Sequence, residues 1–315
     1  MIVILDDHQN KNQMDANNSL NRRKFISDCT MVLGSAFILT NPLDSFASPF
    51  DIQALTVGQI MDLFVKEVPN APFSSTVDTL KSGDREITVT GIVTTMFATI
   101  EVIRKAISLK ANFIIAHEPT FYNHQDQTQW LEEDEVYRYK AALLKENNIS
   151  VWRNHDYVHS LITDGVRKQV VEQLGWSQFG NPNQPVYILK PAPGLKELIE
   201  HTKKKLDIPM LRYMGDLNQR CEKVLLMPGA AGGMPQIRGI RNNKPDVLVC
   251  GEVAEWETAE YVRDARAKGD KLALIVMGHI ASEEPGSLFM SKWLQQKIPQ
   301  IKTIHLPAGN SLSFL

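Results

Sequence analysis

Short apolar runs alternate with amphipathic stretches along most of this chain, and that alternation admits few folds. ITVTGIV (87–93), FIIA (113–116), ISVW (149–152), VYILK (186–190), a run near 210–213, KVLLM (223–227), DVLVC (246–250) and LALIVM (272–277) read as strands, as do runs near 301–305 and 311–315. Helical patterns lie between them at 99–110, 129–147, 160–174 and 253–268, and in the stretch carrying Leu195, Leu198, Ile199 and Leu206. Another helix is predicted to begin around Pro285, a residue that suits a first helical turn. Thr56 to Gln59 has capping-box spacing and opens a helix with Ile60, Leu63 and Phe64 on its apolar face. Residues 70–85, rich in Ser, Asp, Pro and Gly, read as a loop. Strands alternating with helices predict an α/β fold with largely parallel sheet.

At 315 residues, 43% of them hydrophobic, the chain can bury one large domain or two lobes. No linker of distinctive composition divides it. The expectation is therefore two intimately packed α/β lobes, about 55–180 and about 181–315, within a body spanning 48–315. Formal net charge is −2, and the one basic run, Lys203 to Lys205, falls on a helix face. Bulk electrostatics give no reason to expect a nucleic-acid partner.

Residues 1–47 read differently. SLNRRKFIS (19–27) precedes the apolar MVLGSAFILT (31–40), and Ser45-Phe46-Ala47 offers small residues for cleavage near Ala47. Arg22-Arg23 followed by Lys24-Phe25-Ile26 resembles a twin-arginine export signal, which predicts a periplasmic protein exported already folded. The apolar run is too short to serve as a stable membrane anchor. Beyond it only Cys221 and Cys250 remain, both in apolar runs, which suggests core packing rather than a disulfide framework.

The chemistry gathers where strands end. In open α/β sheets functional groups collect beyond the carboxyl ends of strands. Here FIIA leads to His117-Glu118, ISVW to Arg153-Asn154-His155-Asp156 and His159, DVLVC to Gly251-Glu252, and LALIVM to Gly278-His279 with Glu283 following. Four of the chain's eight histidines stand at these ends. Any one alone would more often be a structural histidine; together, with carboxylates and no thiolate, they suit a divalent cation such as Zn, Mn, Fe, Co or Ni. His279 and Glu283 can meet across one helical turn, as can His155 and His159. Five or more donors exceed what one tetrahedral zinc needs and argue for two metal ions. Of the remaining histidines, His124 reads as a cleft residue able to serve as an acid–base group, His201 as solvated, and His305 as part of a terminal strand. The glycine-rich GAAGG (229–233) lacks both the Lys-Ser/Thr of a P-loop and dinucleotide spacing.

At these residues the sequence resembles the dinuclear-metal-centre hexameric proteins, also called GTP cyclohydrolase type 2 homologues and NGG-interacting factor three. The likeness is carried by EVIRKAISLKANFIIAHEP, NHDYVHSLITDGV, PDVLVCGEVAEWETAEYVRDARAKGD and MGHIASE. It implies two related α/β lobes with mixed, largely parallel sheets facing a central metal cleft, assembled as a homohexamer. His279 and Glu283 fall on family metal ligands, and His117 on the first His of a family His-His-Pro. The second His of that pair is Glu118 here, and a ligating Asp position holds His159, one residue type having been exchanged for the other in each direction. Whether Asp156 replaces His159 as a ligand stays open.

The reading that results is a metal-dependent hydrolase of unknown small-molecule substrate. His117, Glu118, His159, His279 and Glu283 would hold two divalent ions that activate water, with Glu252 or Glu255 as general base. His155 would orient a ligand or substrate, and Arg153 would pair an anionic group. An exported protein would rarely meet GTP, which speaks against cyclohydrolase activity. The alternative is a non-catalytic metal-binding scaffold. An open cleft favours the enzyme; a site closed by protein, with Glu252 and Glu255 both turned away, favours the scaffold.

Overall fold

In a computed structural model, residues 54–313 are described, so the segment read as an export signal and the end of the 311–315 run lie outside the described residues. The first half runs α1 (Val57–Val65), β1 (Leu80–Ser82), β2 (Ile92–Thr95), α2 (Ile100–Ser108), β3 (Phe113–Ala116), α3 (Glu135–Glu146), β4 (Ser150–Arg153), α4 (Asp156–His159) and α5 (Gly165–Leu174). The second continues β5 (Val186–Ile188), α6 (Leu195–Leu206), β6 (Arg212–Met214), β7 (Lys223–Met227), α7 (Gly233–Asn243), β8 (Val247–Cys250), α8 (Glu260–Ala267), β9 (Ala273–Val276), α9 (His279–Lys297) and β10 (Thr303–His305).

Two five-stranded mixed sheets result, in the orders β1-β4-β3-β2-β10 and β5-β7-β8-β9-β6. In the first, β10, β2, β3 and β4 are parallel and only β1 is antiparallel. In the second, β7, β8 and β9 are parallel between antiparallel edges β5 and β6. Strands β2, β3, β4, β8 and β9 are buried along their whole length. That is why β3, β8 and β9 read as unbroken apolar runs rather than alternating ones. The two sheets share one apolar core: Ile92, Phe113 and Trp152 belong to the same cluster as Val224, Val249 and Ile275, and Met290 and Leu294 of α9 join it.

Local chemistry explains the elements. Thr56 and Gln59 form the expected reciprocal cap, Gln59 N donating to Thr56 Oγ1 at 3.3 Å and Thr56 N to Gln59 Oε1 at 2.9 Å. Asp164 caps α5 by accepting from the amides of Val166 and Arg167 at 2.9 and 3.0 Å. Helices α5 and α9 approach closely because each presents a glycine: a Cβ at Gly286 would strike Val166, and one at Gly165 would strike Phe289.

Several expectations are corrected. The helix placed near Pro285 begins at His279, and Pro285 lies inside it. Its start is set by Gly278, whose φ of 94° ends the strand's path and whose carbonyl accepts the first turn's bond from Ser282. The run 87–93 is strand only from Ile92; before it, Thr88 bridges to Thr56, and Val89 N donates to Leu55 O. Residues 70–85 contain β1, a short edge strand pairing with β4. Residues 311–313 are not strand. β10 returns to the first sheet, so the second lobe does not keep the chain to its end.

Candidate metal centre

The first sheet delivers two pairs of donors at one level. Parallel register sets Ala116 beside Arg153, and the pairing runs one step further: His117 N donates to Thr95 O at 3.1 Å, Glu118 N to Met96 O at 2.8 Å, and Asn154 N to Ala116 O at 2.9 Å. Beyond Asn154 the chain turns at once into α4. The buried Asp78 carboxylate fixes that turn, accepting from the amides of His155, Asp156 and Tyr157 at 2.8, 3.0 and 2.7 Å. His155 and His159 therefore stand at either end of one short helix, beside His117. Ring centroids lie 4.8 Å apart for His117 and His155, 5.1 Å for His117 and His159, and 5.0 Å for His155 and His159.

The second sheet supplies the remainder. After β9 the chain turns at Gly278 into α9, whose first turns carry His279 and Glu283. His279 Nε2 lies 3.1 Å from Glu118 Oε1 and 3.0 Å from Glu283 Oε2, while Glu283 Oε2 also lies 3.3 Å from His117 Nε2. Glu283 Oε1 is 3.9 Å from His159 Nε2, and Glu118 Oε1 is 3.8 Å from His155 Nε2. Donor atoms of His117, His155 and His159 all fall within 4.8 Å of one another, and so do those of His117, Glu118 and Glu283. The two triads share His117.

The outward nitrogens complete the picture. His117 Nδ1 faces the carbonyl of Asn154 at 3.2 Å, His155 Nδ1 the Asp156 carboxylate at 2.9 Å, His159 Nδ1 that of Asp164 at 3.1 Å, and His279 Nδ1 that of Glu252 at 2.8 Å. Each partner is an acceptor, so each Nδ1 carries the proton. In the neutral ring the lone pair is then on Nε2, aimed inward. His117 Nε2 is buried and, among the described residues, has no hydrogen-bond partner. An orphaned lone pair at the junction of two donor triads fits a cation.

Without a cation, protons take part of its place. Burial alone would lower His279, but its hydrogen bonds to the Glu118 and Glu283 carboxylates lift it to about 10. His117 is likewise raised: burial opposes its charge, and Glu283 outweighs it. Burial would raise Glu283, yet His117 at 3.3 Å and the hydrogen bond from His279 hold it well below the usual range. His155 goes the other way, driven to about 4 by burial and by the neighbouring His117.

Arg153 is fully buried and serves the protein rather than a substrate: Nη2 reaches Glu118 Oε2 at 3.2 Å, Nη1 bonds the His124 carbonyl and lies 3.5 Å from Asp126, and Nε donates to His117 O. Asp156 is occupied by His155, Thr76 and the amide of Val77, leaving His159 in the donor cluster. Glu252 holds His279. Glu255 is exposed, pairs with Arg212 at 2.6 Å and touches none of the donors. His201 is not simply solvated; Nε2 donates to Leu174 O at 2.7 Å, and its ring stacks on Trp176. His305 pairs with Glu284 at 2.8 Å. Cys221 and Cys250 are buried and, among the described residues, unbridged.

Sequence reasoning missed Asp78 and Asp164. Asp164 is legible as a helix cap, but its second oxygen's role needs the fold. It also missed what the glycines do. Gly229, at φ 67°, sits where a Cβ would collide with the Glu283 carboxylate, and its amide donates to Ser282 Oγ at 2.9 Å. The turn lets backbone pack on the donor helix.

A cleft of about 860 Å³ opens beside the cluster, with Glu118 and His279 in its wall and Tyr122, His124, Arg104 and Lys140 around it.

Residues 64–309 match the family model described as Duf34/NIF3 (NGG1p interacting factor 3). A GTP cyclohydrolase 1 type 2 homolog of Clostridium acetobutylicum is 29% identical over 255 residues, covering 75% of this chain and 91% of that protein. A hypothetical protein of Staphylococcus aureus shares the fold with a TM-score of 0.67 at 18% identity, over 83% of this chain and 99% of that one. A Bacillus cereus protein related to NIF3 does so with a TM-score of 0.66 at 17% identity, over 82% and 98%.

Proposed function

This chain belongs to the Duf34/NIF3 family, and from that premise we propose that it is a metal-dependent hydrolase with a dinuclear centre. The observation that carries the reading is the common orientation of four imidazoles, each with Nδ1 tied to an acceptor and Nε2 turned to one place. A structural histidine has no need of that uniformity. His117, His155 and His159 would hold one ion, and Glu118, Glu283 and His279 the other. Divalent ions held there would supply an acidified water and positive charge against a developing oxyanion.

The chain's own residues do the rest. Arg153 pins Glu118 through Oε2 and leaves Oε1 facing His279 and His155. Asp164, Asp156 and Glu252 fix three ring orientations. Glu252 is the one carboxylate of that set with a half-exposed side chain, at 56%, so it can also pass a proton from His279 to solvent. Glu255 has no part in this reading. The open cleft beside Glu118 and His279 favours an enzyme over a closed scaffold.

The name GTP cyclohydrolase 1 type 2 homolog belongs to the relatives. Homohexameric assembly and twin-arginine export to the periplasm are part of the same proposal, resting on family likeness and on the Arg22-Arg23 segment. Light scattering tests the first, and fractionation of cells expressing Arg22→Lys/Arg23→Lys tests the second. For the centre itself, plasma mass spectrometry of protein purified without chelator should find close to two metal ions per chain, and His279→Ala should lose them. No bound metal in the parent, even after reconstitution, would defeat the proposal.

A further inference from the structure

Lys140 is the charge the metal centre does not use. It lies on α3 and is 4% exposed, yet it lines the cleft that Glu118 and His279 wall. Its Nζ donates to Thr120 O at 2.6 Å and lies 5.7 and 5.2 Å from the ring centres of Phe121 and Tyr122. An ammonium has three protons to donate; one goes to Thr120. Among the described residues no carboxylate pairs with it. The nearest acidic influence, Asp126, is already taken by Lys81 at 3.3 Å and Arg153 at 3.5 Å. Aromatic faces ease a cation's burial but do not neutralise it. Burial accordingly pushes the group down to about 8. A buried, uncompensated cation is costly unless something supplies the opposite charge.

A second cation stands on the same cleft. Arg104 of α2 donates to Tyr139 Oη at 2.8 Å, and its guanidinium lies over the Tyr139 ring at 5.7 Å, which holds it beside α3. The other charges around the cleft are Glu101, Glu118, His124 and His279. Glu118 is committed to Arg153 and His279, and Glu101 is exposed to water. Neither neutralises Lys140.

We propose that this cleft contains an anion subsite centred on Lys140 and assisted by Arg104. It would take the phosphate or carboxylate group of a substrate whose reacting end lies against Glu118 and His279. The subsite deepens the hydrolase reading and depends on it only for the reacting end; anion capture by Lys140 needs no metal.

Calorimetry of the chelator-treated full chain with inorganic phosphate, and separately with acetate, tests it. One saturable anion per chain is expected, tetrahedral or planar according to which of the two binds. Lys140→Met should weaken binding about tenfold or more, Lys140→Arg should restore part of it, and Arg104→Leu should cost a few-fold. Metal reloading of Lys140→Met should match the parent. Equal affinity in Lys140→Met, or no anion bound by the parent, overturns the proposal. So does phosphate that binds only after metal reloading and ignores Lys140→Met, since that anion sits on the centre itself. An arm without variants guards against misfolding: phosphate should slow acylation of Lys140 in the parent, read by mass spectrometry, and an unchanged rate counts against the subsite. Anion binding without any metal binding would sink the hydrolase reading and leave the subsite standing.

Discussion

Replacing Lys140 by Met should make the ligand-free protein more stable. In the folded chain the ammonium is displaced from 10.5 to about 8, which at roughly 1.36 kcal/mol per pKa step is a penalty of about 3 kcal/mol on the charged form. Methionine keeps the apolar stem and removes the charge. Against this, the variant forfeits the bond to the Thr120 carbonyl, about 1 kcal/mol, and weak attraction to two aromatic faces, on the order of 0.5 kcal/mol. The net expectation is stabilisation of about 1–2 kcal/mol, or roughly 2–6 °C in the unfolding midpoint for a domain of this size. The sign with pH follows from a lysine lowered on folding. Below about 8 both folded and unfolded states are protonated, and the folded one bears the whole cost. Between there and 10.5 the cost disappears, so the parent should catch up with the variant as pH rises. Urea unfolding followed by circular dichroism, in chelator and without phosphate, at pH 7 and again near 10, measures both. A variant less stable than the parent by 1 kcal/mol or more at pH 7 would refute the reasoning, because Lys140 would then have a counter-charge within the protein. Saturating phosphate should stabilise the parent more than it stabilises Lys140→Met.

Other consequences follow from the centre. Asp164→Asn removes the carboxylate behind His159 while an amide can still cap α5, so metal affinity measured by competition with a chelating dye should fall roughly 10–100-fold with little loss of stability. Gly229→Ala puts a Cβ into the Glu283 carboxylate at a left-handed backbone position; it should abolish metal binding and cost about 1–3 kcal/mol in thermal unfolding, and normal metal content would show that Glu283 is free to move. Because His279 is lifted to about 10 in the metal-free chain, a cation loaded at pH 7 must displace its proton. Calorimetry in buffers of different ionisation enthalpy should register about one or more protons released per chain; buffer-independent heats would mean His279 is not a ligand.

Much of this site was legible because the sequence places chemistry at the ends of buried parallel strands, and parallel strands in register end together. FIIA and ISVW therefore announced His117 and His155 as neighbours, and one-turn spacing announced the approach of His279 to Glu283. Orientation was not legible. That Glu252 lies behind His279, and that Arg153 braces Glu118 rather than a substrate, depend on side-chain directions that only the packed sheets determine. Asp78 sits in a segment whose composition is that of a loop, and nothing local says that its carboxylate will seize three amides from residues 155–157. Pro285 misled for a different reason. Proline favours first turns on average, but here the tighter constraint was Gly278, whose left-handed backbone starts the helix sooner.

The return of β10 to the first sheet bears on how the chain is made. β2 pairs with β3 on one side and with β10 on the other, and every residue of the second sheet is synthesised between those two partners. A nascent chain therefore holds β2 as a bare parallel edge while the second sheet emerges, a surface prone to wrong pairing. The donors are divided in the same way, His117 to His159 arriving early and His279 and Glu283 late. Metal met during synthesis would find half a site, so the complete centre can form only after the late donors and the closing strand have emerged.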